Sequence, residues 1–252
     1  MNPLDYIRIV LVQPASPGNV GATARVLKNT GLSRLVLVDP GIWDTPEARW
    51  RAHGSGEILD SLQTRGSLAA ATADAHLVIG TTHRLGRFRE VEDDYVGVLR
   101  EAVALAGPNQ VAIVFGREKD GLWHDEIEQC HRLIRIPSAV PYPSFNLSHA
   151  VLLVAYELFR AADQAARQAP PCLATAAELA SVCDHILAAM ATIGFRPYND
   201  DPTNFRRVVR RVLSRTPLER RDANVLHRVC VQIEKFAQLR EGAGGDAPAG
   251  KA

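Results

Sequence analysis

Three short segments carry the side chains that could do chemistry. The one running from Ile136 to Ala150 contains prolines at 137, 141 and 143 and leaves through Ser144, Asn146 and Ser148 into an apolar stretch, Val151 to Tyr156. Proline fixes φ and removes an N–H, so this loop holds one shape and exposes carbonyls that no strand partner uses. A loop of that kind before a helix start can ring a flat polar ligand with backbone groups and set hydroxyl and amide side chains beside it. The other two segments, Gly18 to Arg25 and Val114 to Leu122, each follow or end an apolar strand-like run. Neither is the dinucleotide fingerprint, which needs G-x-G-x-x-G, nor a P-loop, which needs G-K-[ST]. Taken singly, each of the three reads equally as a turn with a helix cap.

In this order and spacing the segments resemble the three motifs of the SPOUT-class RNA 2′-O-ribose methyltransferases. N-x-G-x-x-x-R falls on Asn19, Gly21 and Arg25, and F-G-x-E-x-x-G-L runs from Phe115 to Leu122. I-P at Ile136 is followed by S-x-N-x-S-x-A from Ser144 to Ala150. Within the class the likeness is closest to the TrmJ type, the tRNA cytidine/uridine 2′-O-methyltransferases of the anticodon loop. Gly80-Thr81-Thr82, Phe115 to Glu118 and the Asn146-Leu147-Ser148 helix entry point there. The likeness covers residues 7 to 160 and continues faintly from Arg206 to Glu234.

The resemblance implies an α/β fold with a deep C-terminal trefoil knot, S-adenosylmethionine as methyl donor, no metal, a tRNA partner, and a homodimer with active sites near or across its interface. The donor would lie against Thr81, Thr82 and His83, against Gly116, and against Ile136, Pro143, Ser144, Phe145 and Leu147. Family members usually carry serine and leucine where this chain has Pro143 and Phe145. The catalytic set so implied is Arg25, Ser144, Asn19, Glu118 and Asn146. Methyl transfer to a ribose hydroxyl is an in-line displacement that needs the 2′-OH held in line and help in losing its proton. An arginine side chain is a poor proton acceptor near neutral pH, so positioning and polarisation of the hydroxyl is the expected role of Arg25. A phosphate oxygen or Ser144 would take part in proton removal. Gly116 is expected to let the backbone approach the adenosine. Glu118 is expected to hold Asn146 or Arg25 in place. Asn19 reads equally as a helix cap, and Glu118 equally as an exposed loop carboxylate.

Outside the motifs, eight arginines lie between Asn204 and Arg228 against Glu219 and Asp222. Arg206, Arg207, Arg210 and Arg211 share one helical face, with Val208, Val209, Val212 and Leu213 largely opposite. A basic face opposite an apolar one suits a docked helix turned to phosphates. Arg84, Arg87 and Arg89 make a second cluster, where guanidinium forks match phosphate. His149 is expected to be a packed core or interface histidine. His83 is expected to matter through its backbone. Trp43, Trp50 and Trp123 are too dispersed for one stacking platform, so core or interface packing is their expected role.

The elements that position these residues follow from hydropathy. Ile7–Val12, Leu35–Val38, Leu77–Gly80, Val111–Phe115 and Leu133–Ile136 are short apolar runs without alternation, as strands covered on both faces are. Helices are expected over Val20–Asn29, in a mixed stretch from Glu47 to Leu62, over Tyr95–Leu105 and over Trp123–His131. The pattern is α/β with a mostly parallel sheet and helices on both faces. Residues 1–163 form the catalytic domain, 164–175 a linker, 176–241 a helical extension and 242–252 a disordered low-complexity tail. The extension is read as helices over Ala176–Ile193, Asn204–Leu213 and Pro217–Leu239.

With 252 residues, 46% of them hydrophobic, the chain can bury one sizeable core and a small satellite. A net charge of +1 leaves no global basic field, so a nucleic-acid partner needs a local patch. Four scattered cysteines without a CxxC pair argue against zinc or a disulfide framework and fit reduced thiols in the cytoplasm. There is no signal-peptide pattern at the N-terminus, and no apolar run nears the roughly 18 residues of a membrane span. The readings to be separated are an anticodon-loop methyltransferase, a same-fold enzyme acting on rRNA or another tRNA position, and a non-catalytic RNA-binding or assembly module.

Overall fold

The apolar runs become the strands of a six-stranded sheet in a computed structural model that describes residues 2–83, 90–140, 145–164, 171–215 and 217–243. The strands are β1 (Ile7–Val12), β2 (Arg34–Val38), β3 (Gln63–Arg65), β4 (Leu77–Thr81), β5 (Val111–Phe115) and β6 (Arg132–Ile134). Their order is β3-β2-β1-β5-β4-β6, and every neighbouring pair is parallel. All six residues of β1 and all five of β5 are buried, because both faces of the sheet are covered.

The helices of the first unit are α1 (Pro17–Asn29), α2 (Pro46–Arg51), α3 (Gly56–Ser61), α4 (Leu68–Thr72), α5 (Tyr95–Leu105), α6 (His124–Ile127) and α7 (Leu147–Gln164). Period-2 alternation splits the strand residues between two cores. Ile7, Ile9 and Leu11 meet Leu27 of α1, Ile58 of α3, Leu99 of α5 and Val151 and Val154 of α7. Val10 and Val12 face the other way, toward Leu68 and Ala71 of α4 and toward Leu122 and Cys130.

Several boundaries differ from the sequence reading. β3 was not expected, since Gln63, Thr64 and Arg65 are all exposed and carry no hydrophobic signal; backbone pairing with Val36 to Val38 makes the strand. β6 sits two residues earlier at its C-terminal end, because Pro137 removes a donor and Ile136 has left the ladder. The expected Trp123–His131 helix shrinks to the four residues of α6. Helix α1 begins at Pro17, whose fixed φ suits a first turn.

The chain divides into two compact units, Met1–Ala176 and Ala177–Ala252. The second is built from α8 (Ala176–Thr192), α9 (Pro202–Leu213) and α10 (Arg220–Ala243). Arg206 of α9 pairs with Asp184 of α8 at 2.7 Å, and Arg220 of α10 with Glu178 of α8 at 3.0 Å. The tail assigned to disorder lies, from residue 244 on, outside the described residues. Among the described residues no helix is long and apolar enough to cross a membrane.

Candidate active site

The strand order reverses between β1 and β5, and open parallel sheets bind ligands beyond the carboxyl ends of strands at such a point. The loop leaving β5 closes on itself there. Arg117 and Gly121 exchange backbone hydrogen bonds of 3.1 and 3.0 Å, and Gly121 takes φ +67°. A Cβ on Gly116 would collide with the Gly121 carbonyl and the Leu122 nitrogen. The glycine is therefore required by the loop's own backbone, a steric reason that adds to the approach to adenosine expected of it. Arg117 locks this turn from inside the protein. Its guanidinium grips Glu126 at 2.8 and 2.9 Å, donates to Gln13 Oε1 at 2.5 Å, and lies 3.5 Å from the Trp123 ring centroid.

Next in the loop, Glu118 reaches across to the start of α1. Its carboxylate accepts from the Ala15 N–H (3.0 Å), the Ser16 N–H (3.3 Å) and the Asn19 amide (3.0 Å). Burial pushes the Glu118 carboxyl up, but these donors outweigh it and hold the group below the usual carboxylate range. Asn19 Oδ1 then accepts from Asn146 Nδ2 at 3.0 Å, and Asn146 Oδ1 accepts from the Ser148 N–H at 2.9 Å and its hydroxyl at 2.7 Å. The direction of this chain is fixed at both ends. A carboxylate only accepts and a backbone N–H only donates, so both amides between them have one orientation. Asn19 is thus a bridge rather than a cap, and Glu118 reaches Asn146 through it. The helix N-cap is Ser16.

Beside this chain lies a cavity of about 290 Å³, near the small end of ligand pockets. Thr81, Thr82, His83, Gly116, Ile136, Phe145 and Leu147, all expected at the cofactor, line it. Sequence reasoning missed Phe115, Leu122 and Ala150 as apolar walls; their place beside the motif glycine and the helix entry was the available signal. Thr81 is held by a 3.1 Å bond to the Val114 carbonyl, and Thr82 by its N–H to Ile134 at 3.0 Å. Pro143, Ser144, Arg84, Arg87 and Arg89 lie outside the described residues. Among the described residues no group of three or more His, Cys, Asp or Glu is arranged to hold a metal.

Arg25 is not brought to the cavity. Gly21, Arg25 and Lys28 share one face of α1, and that face is turned to the α2–α3 segment, since Gly21 abuts Ala48 and Lys28 pairs with Glu57. Arg25 is exposed, about 120° round the helix from Asn19, and makes no hydrogen bond or ion pair with the described residues. Of the two places expected for His149, the core is ruled out, because it is exposed on α7. Trp50 and Trp123 likewise lie outside the core, 73% and 50% exposed. On α9, Arg206 pairs with Asp184, and Arg206, Arg207, Arg211 and Val212 are all exposed.

Residues 6–156 match the SpoU rRNA Methylase family. The chain belongs to that family. Two relatives are alike over nearly the full length. The tRNA (cytidine/uridine/adenosine-2′-O-)-methyltransferase TrmJ of Pseudomonas aeruginosa is 33% identical, over 93% of this chain and 96% of its own. The crystal structure of TrmJ from Z. mobilis superposes with a TM-score of 0.75 at 28% identity, covering 90% of this chain and 98% of that one. A structure described as giving insight into the 2-OH methylation of C/U34 on tRNA matches 64% of this chain and 99% of its own, at TM-score 0.51 and 26% identity. The six-stranded parallel α/β sheet is the methylase fold.

Proposed function

We infer that this methylase is an S-adenosylmethionine-dependent tRNA 2′-O-ribose methyltransferase acting on an anticodon-loop cytidine or uridine. The observation that carries this is the chain Glu118–Asn19–Asn146–Ser148, which bonds the three motif loops to one another beside the cavity. Likeness to a tRNA enzyme extends through the C-terminal unit as well as the methylase unit, which favours tRNA over rRNA as substrate.

The cavity fits the methyl donor in kind. Phe115, Leu122, Ile136 and Leu147 offer apolar surface to a flat base, and the backbone of Thr81–Thr82 and Gly116 offers polar groups at its edge. When bound, S-adenosylmethionine supplies an electrophilic methyl group. The protein's part is orientation. Glu118, kept ionised, fixes the Asn19 and Asn146 amides, so the amide edge of Asn146 is presented in one sense to a ribose or phosphate. Arg25 holds and polarises the ribose hydroxyl, and Ser144 or a phosphate oxygen accepts its proton.

The enzyme works as a homodimer in the cytoplasm. Leu152, Leu153, Tyr156 and Phe159 form an exposed apolar stripe on α7, of the kind a second subunit covers. Arg25, remote from its own chain's cavity, serves the cavity of the partner. All four cysteines are free, in keeping with a reducing compartment. The test of the activity is incubation of purified protein with labelled S-adenosylmethionine and tRNA, followed by mass-spectrometric mapping of ribose methylation. Absence of a 2′-O-methyl group in the anticodon loop would remove the assignment.

A further inference from the structure

Helix α2 carries two side chains that the methyl-transfer machinery leaves unused. Trp50 is 73% exposed, and the Arg51 guanidinium stands 5.4 Å from its ring centroid. The platform beneath them is rigid. Thr45 caps the helix by accepting from the Ala48 N–H, Ala48 and Ala52 are buried, and the Ala48 carbonyl packs so closely on α1 that Gly21 could carry no side chain. The remaining arginine, Arg49, is consumed internally by Asp44 and Asp60. Arg51 and Arg25 have no carboxylate partner among the described residues. An exposed indole with an unspent guanidinium beside it is unsuited to a protein's usual exposed surface, but it matches a ligand that is flat, aromatic and anionic.

We propose that Trp50 is a stacking site for an unpaired nucleobase of the RNA substrate, with Arg51 placed on an adjoining phosphate. The proposal rests on the RNA-methyltransferase reading and deepens it by naming what holds the substrate outside the reacting nucleotide. Helix α2, which carries Trp50, packs through Ala48 on α1, the helix that bears Arg25. A base can cover an indole only when its own faces are open, so the site selects a single-stranded loop over a helix. Every base has a π-face, so the site tolerates sequence and favours purines for their larger overlap.

The test uses the full chain and tRNA. Trp50→Ala should raise the KM for tRNA roughly ten- to hundredfold, the loss of one base–aromatic stack, with kcat at saturating tRNA and the Kd for S-adenosylmethionine unchanged. Trp50→Phe should recover most of the affinity, which a general structural defect would not allow. Titrating wild-type protein with a short single-stranded oligoribonucleotide should quench tryptophan fluorescence, and the Trp50→Ala protein should lose that quenching. Unchanged tRNA KM in Trp50→Ala overturns the proposal while leaving the methyltransferase reading intact. A fall in dimer mass by light scattering, with tRNA affinity of the remaining dimer unaltered, also overturns it and makes Trp50 a subunit contact. A wild-type protein that methylates no RNA fails the underlying reading instead.

Discussion

Replacing Glu118 with glutamine changes one oxygen for an NH2 group and should break the polarity of the whole hydrogen-bonded chain. The carboxylate serves three donors, Ala15 N–H, Ser16 N–H and the Asn19 amide, at 3.0 to 3.3 Å. Glutamine keeps a single acceptor, and its NH2 must face a donor on the other side. At least one N–H is left without an acceptor, and the bonds that survive lose their charge assistance. A hydrogen bond to a charged group contributes about 1.5–3 kcal/mol, so a loss of about 2 kcal/mol in the oriented state is expected. At about 1.36 kcal/mol per decade this is roughly a thirtyfold fall in kcat/KM. The assay is single-turnover methylation of tRNA, with S-adenosylmethionine affinity measured calorimetrically in parallel. Because hydrogen bonds lower the Glu118 pKa in the folded protein, its stabilising contribution is fully present above the unfolded value of about 4.3. It is lost as pH falls from there through the lower folded value. Rate and stability from this group should therefore be flat between neutral pH and about 5 in the wild type. A Glu118→Gln enzyme with wild-type kcat/KM would refute the argument that the carboxylate sets the amide orientations.

Three other outcomes can be checked on the same protein. If Arg25 serves the partner's cavity, Arg25→Ala and the cavity-filling Ala150→Phe should each be inactive alone, yet an equal mixture of reassembled dimers should recover about a quarter of the wild-type rate; no recovery would place Arg25 at its own cavity. Tyr156→Asp together with Leu152→Asp should yield a monomer by analytical ultracentrifugation, since charge is put on the exposed stripe of α7; an intact dimer would move the interface elsewhere. Reversing Arg207 and Arg211 to glutamate should flatten the log–log salt dependence of tRNA binding by roughly 1.4 to 1.8 if both contact phosphate, whereas Arg206→Glu should chiefly destabilise the second unit by breaking its pair with Asp184; equal slopes would make the exposed pair an ordinary solvated face.

The sequence alone determined the strands whose apolar runs are unbroken, the parallel α/β class, and the three loops that carry the motifs. These are local properties: a buried parallel strand must be apolar throughout, and a glycine or proline constrains the backbone wherever it stands. The edge strand β3 was beyond such reading, because its three exposed residues carry no pattern and only pairing with β2 makes them a strand. The tertiary structure alone decided which motif residues meet. Glu118 and Asn19 are 99 positions apart and Asn19 and Asn146 are 127 apart, so no spacing rule joins them. Their meeting depends on β1 and β5 being neighbours in the sheet, with the entry of α7 brought over both. The same packing turned Arg25 to the far side of α1, gave Gly116 a steric reason within its own loop, and left Trp50 and His149 in solvent. Residue type sets what a side chain can do; which face of an element is covered, and by what, is fixed only when the elements pack.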